Sequence, residues 1–459
     1  MIRLFHAYFP TRTVLLTLSE AILLIAAFLL AVLAAAGTTT NASIFLLYEN
    51  GIGRIAFIVI VVLVMIYYFD LYSSMVLSNT REVFTRLVGV MGCTFLALAL
   101  FYFAFPDVKL NGKVLWFGLL ASSIALPAWR SVFFMLNRSP RFAERALILG
   151  DGPLAGLLSY EIGHRPELGV RVAGAVVHDI SIDGVRTVDS GDMTAFAKRN
   201  GIRRVILTAA ERRGTLPLAE LLDLKADGVE ILDGGEYYES ITGKLSLDSL
   251  RLGWLLFSPG FRVGGLLRFY KRSASIVFAG LALVILSPVL AIVALAIRLD
   301  SKGPVIFRQS RVGERGRVFM MYKFRTMYAE CDNGKHDPAA HGDTRVTRVG
   351  KWLRPPRLDE LPQLVNILKG DMAFVGPRPF VPDQEEHYAA RIPFYRQRWL
   401  IKPGATGWAQ INRGYNATLD DNKEKLAYDL FYIKNISAGL DLFIMLSTAK
   451  ILLLGRGGR

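Results

Sequence analysis

The sequence predicts a chain in three parts: a membrane α-helical N-terminal bundle of four transmembrane helices, a Rossmann-like α/β domain, and a C-terminal α/β-type domain carrying a re-entrant membrane helix. Three observations predict it. Four long apolar stretches come first, short β-branched runs alternating with helical stretches follow, and a fifth apolar stretch is interrupted by Ser-Pro and flanked by positive charge on both sides. With 459 residues the chain is too long for one compact domain. Hydrophobic residues make up 52% and the mean hydropathy is positive, so part of the chain must lie in lipid.

The N-terminal region, residues 1–138, holds apolar stretches at about 14–36, 52–69, 84–105 and 114–136. Each is long enough to cross a bilayer core, which requires roughly 20 helical residues. The first is too long for a removable signal peptide and is followed by no small-residue cleavage site with a soluble domain behind it. Arg130, near the end of the fourth stretch, is expected to reach the headgroups with its long side chain. Arg3 and Arg12 precede the bundle, Arg138, Arg141 and Arg145 follow it, and the loop 37–51 has no basic residue. The positive-inside rule then puts the N-terminus and everything after the fourth helix in the cytoplasm of a cell (inner) membrane protein that crosses several times.

Residues 139–250 change pattern, with short strands expected at 146–149, 172–177, 205–208 and 229–232 between helical stretches, the signature of a small parallel α/β domain. After the first strand, Gly150-Asp151-Gly152-Pro153-Leu154-Ala155-Gly156 resembles a dinucleotide-binding turn with its third glycine displaced. No acidic ribose ligand can be placed about 20 residues further on. A tight turn in a structural or regulatory domain is therefore preferred to bound NAD, and both readings stay open. Residues 233–265, rich in glycine, tyrosine and serine, read as a connector.

The C-terminal domain, 251–459, begins with the fifth apolar stretch, 274–297, whose centre is Ser287-Pro288. Arg268, Lys271 and Arg272 precede it, and Arg298 and Lys302 follow. A straight crossing would strand one basic cluster outside the cell, whereas a helix that enters and returns, over about 272–298, satisfies both. Proline removes one backbone bond and bends the helix there, and the adjacent serine hydroxyl can compensate a freed backbone group. Ser287 and Pro288 are therefore the expected break. A proline-kinked spanning helix is the alternative.

Cys93 and Cys331 have no metal-ligand spacing, nor do the six histidines, His6, His164, His178, His336, His341 and His387. The loop pair His336 and His341 is expected to be solvated.

The most informative feature is the adjacent pair Asp359-Glu360 within Arg357-Leu358-Asp359-Glu360-Leu361-Pro362-Gln363-Leu364. Residues 360–369 read as a short helix with Asp359 at its N-cap, Pro362 in the first turn and Gly370 just past the end. Ordinary capping explains such a pair by itself. A helix N-terminus also keeps carboxylates ionised and favours phosphate. The segment 298–413 carries 21 basic and 12 acidic residues, so +9 of the net +15 lies around the pair. Together with the membrane segments, this excess points to an anionic membrane surface or anionic small molecules rather than nucleic acid.

From Lys271 to about Leu453 the order of motifs is distinctive: Leu286-Ser287-Pro288, Gly303-Pro304-Val305-Ile306-Phe307-Arg308-Gln309, Arg311-Val312-Gly313, Tyr322-Lys323-Phe324-Arg325-Thr326-Met327, Leu358 to Leu364, Asn366 to Met372, Gly376-Pro377-Arg378-Pro379, Lys402 to Gln410, and Tyr428-Asp429. This set strongly resembles the bacterial sugar transferase family, the monotopic phosphoglycosyl transferases. With the four-helix region and the α/β domain, the likeness extends to the large, polysaccharide-initiating members of that family. The resemblance implies a monotopic catalytic domain on the cytoplasmic face that moves a sugar-1-phosphate from a UDP-sugar donor to an undecaprenyl phosphate acceptor, releasing UMP. It also implies Asp359 as the nucleophile of a covalent phosphosugar intermediate, Glu360 as the Mg²⁺ ligand, and a homodimer among membrane lipids.

The residue chemistry agrees with those roles. Phosphoryl transfer needs positioning and charge neutralisation, and Mg²⁺ takes one or two carboxylates plus phosphate oxygens. Lys323, Arg325, Arg354, Arg378 and Asp429 are the candidate substrate-binding residues; Arg354 and Arg378 offer guanidinium forks and Lys323 a point charge, while a helical structural role near the C-terminus explains Asp429 equally well. Trp408 and Tyr415 are candidates to line the nucleotide or the interface. Pro355-Pro356-Arg357 and Asn412-Arg413-Gly414 depart from the family pattern and leave the donor sugar open. A membrane-anchored nucleotide-sugar dehydratase or epimerase, and a non-catalytic export scaffold in which the acid pair only caps a helix, are the rival readings.

Overall fold

A computed structural model describes all residues except 5–6, 74–79, 139–141, 151, 178–184, 209–215, 251–259, 262–263, 329–342, 414–417 and 454–459. Asp151, Arg141, His6, His178, His336, His341, Cys331, Gly414 and Tyr415 therefore lie outside the described residues. The chain forms two compact units, residues 1–2 with 9–237 and residues 3–8 with 238–459.

In the first unit, helices Thr11–Ala36, Gly51–Tyr68, Thr80–Ala104 and Gly112–Arg138 occupy the four apolar stretches. Each contains a window long and apolar enough to cross a membrane. A further short helix, Thr39–Tyr48, fills the stretch read as a loop, its N-cap Thr38 accepting from the Asn41 amide. Leu24, Phe28, Ile58, Val62, Ile66, Val90, Leu98 and Leu126 form the core of the bundle. The first and fourth helices pack closely, with Gly118 leaving room for the Phe28 ring.

Arg130 does not reach for headgroups. It is fully buried and paired with Glu20, a charge inside the first helix. Arg130 Nε lies 2.5 Å from Glu20 Oε1, and its two terminal nitrogens donate to Glu20 Oε2 at 3.1 Å and to the Leu71 carbonyl at 2.9 Å. Tyr72 completes the set by donating to Glu20 Oε2 at 2.7 Å. With a fully bonded partner on the neighbouring helix, pairing inside the bundle replaces extension to the surface.

The same unit contains a parallel four-stranded sheet of Glu144–Leu149, Val170–Val176, Ile202–Leu207 and Glu230–Asp233, in the order second, first, third, fourth. These strands lie on the four predicted runs. Leu147, Val176, Val205, Phe196 and Leu221 fill one face between sheet and helices. The turn after the first strand places Gly150 and Gly152 at φ 116° and 118°, which only glycine adopts without strain, and Pro153 opens the helix Pro153–His164.

The second unit is organised on one helix, Gly265–Asp300, helical throughout its 36 residues with Pro288 inside it. Proline at 288 deprives the Val284 carbonyl of its usual donor. The Ser287 hydroxyl supplies the replacement, donating to Val284 O at 2.7 Å, as the sequence suggests. One stripe of the helix faces its own domain along both halves. Ala279, Ala282, Leu283 and Leu286 pack with Met321, Leu364, Ile367 and Met372, whereas Leu290, Val293, Ala294 and Ile297 pack with Phe324, Leu353, Leu358 and Leu361. The opposite face exposes Leu281, Val284, Ile285, Ile292 and Leu295, a continuous apolar surface on which water is unfavourable.

Around this helix lie an antiparallel hairpin, Ile306–Val312 with Val318–Phe324, and a short parallel pair, Ala373–Val375 with Gly404–Thr406. Gly404 is obligatory in that pair, because a side chain there would collide with the Gly376 backbone.

Candidate active site

The acid pair does not cap an α-helix. Leu358–Glu360 is a single 3-10 turn, and the α-helix that follows is Gln363–Lys369, three residues later than the sequence predicts. Pro362 has no N–H with which to bond the Leu358 carbonyl, so Leu361 N takes that carbonyl at 3.3 Å in the tighter pattern. Arg357, just after two prolines, enters the turn with φ 55°, a left-handed conformation unusual for a branched-off long side chain and of the kind found where a site fixes its backbone. The predicted end is found: Gly370, at φ 92°, closes the helix.

This turn straddles the middle of the long helix. Leu358 and Leu361, on either side of the acids, pack with residues C-terminal to Pro288. Leu364 and Ile367 pack with residues N-terminal to Ser287. Arg272 fixes the same element from the helix's first half, donating to the carbonyls of Ile367 and Leu368 at 2.7 Å each. Hydrophobic patterning therefore holds Asp359 and Glu360 beside the Ser-Pro step.

Lys323 lies on the hairpin strand Val318–Phe324, opposite Phe307. Asn366 fastens that strand, accepting from Tyr322 N at 3.0 Å and donating to the Met320 carbonyl at 2.7 Å. From there Lys323 Nζ reaches Glu360 Oε1 at 2.8 Å, and Arg378 stands 3.6 Å from the same oxygen. Burial pushes the Glu360 carboxyl up, but the neighbouring Lys323 and Arg378 outweigh it and bring it down to about 2. Asp359 goes the other way. Burial, reinforced by the Glu360 charge and only partly offset by Lys323 and Arg354, raises it to about 6. The expected effect of a helix N-terminus is thus absent, and Asp359 remains mainly ionised at neutral pH because its shift is limited. Arg354 follows the helix Arg348–Leu353 and donates to Thr326 Oγ1 at 2.9 Å. Two adjacent acids whose environments drive their protonation apart are what a site with two carboxylate roles requires.

Lys323, Arg354 and Arg378 are therefore assembled around the pair, and two other predicted residues are not. Arg325 is buried at the end of the long helix, where its terminal nitrogens donate to Lys302 O at 2.9 Å and Ser301 O at 2.7 Å. It closes the long helix rather than facing the acids. Asp429 is buried and accepts from Arg398 at 3.0 Å, with burial raising its carboxyl to about 6 against the pull of Arg398. Trp408 donates to the Gly243 carbonyl at 2.7 Å and stacks on Phe431, which makes it internal packing.

Arg398, Glu385, Arg311 and Asn366 were given no role from sequence. Arg398 and Asp429 are 31 residues apart and Arg398 and Glu385 are 13 apart, separations that carry no periodic signal. Asn366 stood in a recognised motif, but its bonds to a strand 44 and 46 residues earlier are visible only in the fold.

Among the described residues no group of three His, Cys, Asp or Glu side chains converges to hold a cation. Asp359 and Glu360 supply two adjacent carboxylates, the donor set that Mg²⁺ accepts when phosphate oxygens and water fill the remaining positions. The residues present fit that ion, and Glu360 is the more acidic of the two.

A family model described as bacterial sugar transferase matches residues 266–455. The chain is 34% identical over 355 residues to the UDP-glucose:undecaprenyl-phosphate glucose-1-phosphate transferase of Escherichia coli, covering 74% of this chain and 75% of that protein. It is 32% identical over 370 residues to the protein of the same description from Klebsiella pneumoniae, covering 77% and 78%. A UDP-N-acetylgalactosamine-undecaprenyl-phosphate N-acetylgalactosaminephosphotransferase of Aeromonas hydrophila is 43% identical over 224 residues, 48% of this chain and about half, 52%, of that protein.

Proposed function

The chain belongs to the bacterial sugar transferase family, and from that premise we propose that it transfers a sugar-1-phosphate from a UDP-sugar to undecaprenyl phosphate at the cytoplasmic face of the inner membrane, initiating a surface glycan. The observation that carries this reading is the Asp359-Glu360 turn with Lys323 at 2.8 Å and Arg378 at 3.6 Å from Glu360, a cationic pocket around two carboxylates of unlike acidity.

In the first step a carboxylate oxygen of Asp359 attacks the phosphorus that bears the sugar. The P–O bond to the second phosphate breaks, its electron pair leaves with UMP, and an aspartyl-phosphosugar remains. In the second step a phosphate oxygen of undecaprenyl phosphate attacks the same phosphorus, the acyl phosphate bond breaks, and Asp359 returns as a carboxylate. Arg354 and Arg378 offer donors to the phosphoryl oxygens, where charge accumulates in both steps. Glu360 would hold Mg²⁺, which when bound neutralises phosphate charge. Lys323, beside Glu360, would supply a point charge to the diphosphate.

We read the four N-terminal apolar helices as transmembrane, the parallel sheet region as Rossmann-like, and Gly265–Asp300 as re-entrant. Support for re-entry comes from the packing: both halves of the helix rest on one domain, and an upright 36-residue helix, at about 1.5 Å per residue, would carry one half across the bilayer. The relatives matched over three quarters of their length are named for glucose, so UDP-glucose is the first donor to test.

The test is mass spectrometry of detergent-solubilised protein incubated with UDP-glucose, UDP-N-acetylgalactosamine or UDP-galactose alone. An adduct of hexose phosphate or its N-acetyl form on Asp359, absent in Asp359→Asn, supports the reading. Steady UMP release with undecaprenyl phosphate and never an adduct refutes the covalent step.

A further inference from the structure

The loop bearing Arg378 is short of its own means of support. Pro377 and Pro379 flank the arginine and have no N–H, so the loop can be held mainly through its carbonyls. All four from residue 377 to 380 are bonded. Pro377 O accepts from Gly404 N at 3.0 Å and Phe380 O from Val312 N at 3.0 Å. The two between them are taken by guanidinium groups, one buried and one half-buried: Arg398 donates to Arg378 O at 2.8 Å, and Arg311 donates to Pro379 O at 3.1 Å.

Arg398 is the more constrained of the two. It is 5% exposed, and its terminal nitrogens also donate to Tyr395 OH at 2.7 Å, Glu385 Oε1 at 3.3 Å and Asp429 Oδ2 at 3.0 Å. Its Cζ lies 4.9 Å from the centre of the Phe380 ring and 5.0 Å from that of Tyr395. Trp399 in turn donates to Glu385 Oε2 at 3.1 Å, which fixes the acid. Two carboxylates, the Tyr395 phenol and the Phe380 ring thus aim one rigid fork at one backbone carbonyl. Lysine, with a single point charge on a flexible stem, cannot meet those acceptors together.

We infer that Arg398 is a positioning residue for transfer: it clamps the backbone of Arg378 so that the Arg378 guanidinium stands against Glu360. This rests on the function proposed above, because only there does the place of Arg378 matter to turnover. A purely structural ion pair would affect folding alone, whereas a clamp acts through Arg378.

The experiment is a double-mutant cycle on the full-length protein in nanodiscs, with Arg398→Lys, Arg378→Ala and the double variant, assayed for UMP release with UDP-glucose or UDP-N-acetylgalactosamine, whichever turns over. Because about 1 Å of misplacement can cost on the order of 10²-fold, Arg398→Lys is expected to lower kcat/KM by roughly that factor, and adding it to Arg378→Ala to cost almost nothing further. Losses that multiply overturn the clamp, as does wild-type kcat/KM in Arg398→Lys. A cryo-EM structure of Arg398→Lys supplies the arm independent of turnover: the Arg378 guanidinium displaced from Glu360 supports the clamp, and an unmoved one overturns it. Wild-type protein that transfers nothing would instead sink the proposed function and leave the structural arm to decide. Should Arg398→Lys fail to fold, the isosteric Asp429→Asn enters the same cycle under the same criteria.

Discussion

Lys323 Nζ stands 2.8 Å from Oε1 of Glu360, so the lysine's ion pair goes to the acid one residue past the proposed nucleophile. That choice separates the neighbours. Glu360 is held near 2, while Asp359, in the shadow of its charge and of burial, lies near 6. One is a permanent anion suited to a cation; the other is a carboxylate close to the balance point between basicity and ionisation.

The first prediction concerns rate. Asp359 must be ionised to attack, so single-turnover UMP release should climb with pH and level off above about 6. One pH unit below that midpoint the rate should be about tenfold under the plateau. A profile flat down to the ordinary aspartate range would mean that burial does not govern the attacking group.

The second concerns stability, where the two acids have opposite signs. The folded Asp359 carboxyl is raised above its unfolded value, so its charge costs stability above about 6, a cost relieved as the pH falls toward 3.8. The Glu360 carboxyl is depressed, so its charge contributes stability that is present above 4.5 and lost as the pH falls toward about 2. Asp359→Asn should raise the melting temperature at pH 8 by a few degrees, with the gain shrinking at pH 5 and below. Glu360→Gln should lower it at the same pH. Thermal unfolding in detergent measures both, and equal signs would contradict this electrostatic picture.

Much of this was legible in the sequence, for physical reasons. Helical and strand patterning depends on local periodicity, so the four apolar helices and four strands appear near where the runs of residues place them. The serine before Pro288 could be read because a proline orphans a carbonyl at a fixed offset, which is where Ser287 donates. Lys323, Arg354 and Arg378 entered through motifs. Arg325 and Asp429 entered the same way, yet are spent on the long helix end and on Arg398, because a motif preserves residues that build a site as well as those that face it. The helix start failed at Pro362, where the local rule tolerates proline but the turn before it tightened. Glu20, Arg398 and Asn366 depend on contacts between distant segments, which no spacing encodes.

A third prediction tests the long helix. In a Cys93→Ser, Cys331→Ser background, single cysteines at Arg268, in the first turn of Gly265–Asp300, and at Lys302, just past its end, should both react with a membrane-impermeant maleimide in inside-out vesicles and neither in intact spheroplasts. The expectation follows from the re-entrant reading, which the packing of Leu283 and Leu286 before the proline, and of Leu290 and Ile297 after it, supports. Labelling of one flank from outside would make the helix a full span.

The fourth concerns Glu20 and Arg130, which are joined at 2.5 Å with essentially no exposure of either side chain. Removing one partner leaves a buried charge without its counter-ion, which costs about 3–5 kcal/mol. Glu20→Gln and Arg130→Met should therefore each weaken the bundle markedly, while the double variant, having neither charge to desolvate, should be more stable than either single one. Tyr72 sharpens the comparison. Its hydroxyl donates to Glu20 at 2.7 Å, so Tyr72→Phe should cost only about 1 kcal/mol beside Glu20 and almost nothing once Glu20 is replaced by leucine. Denaturant unfolding in mixed micelles reads each of these stabilities. A double variant as weak as the sum of the singles would show that the pair is no coupled unit and that the first and fourth helices are held by apolar packing alone.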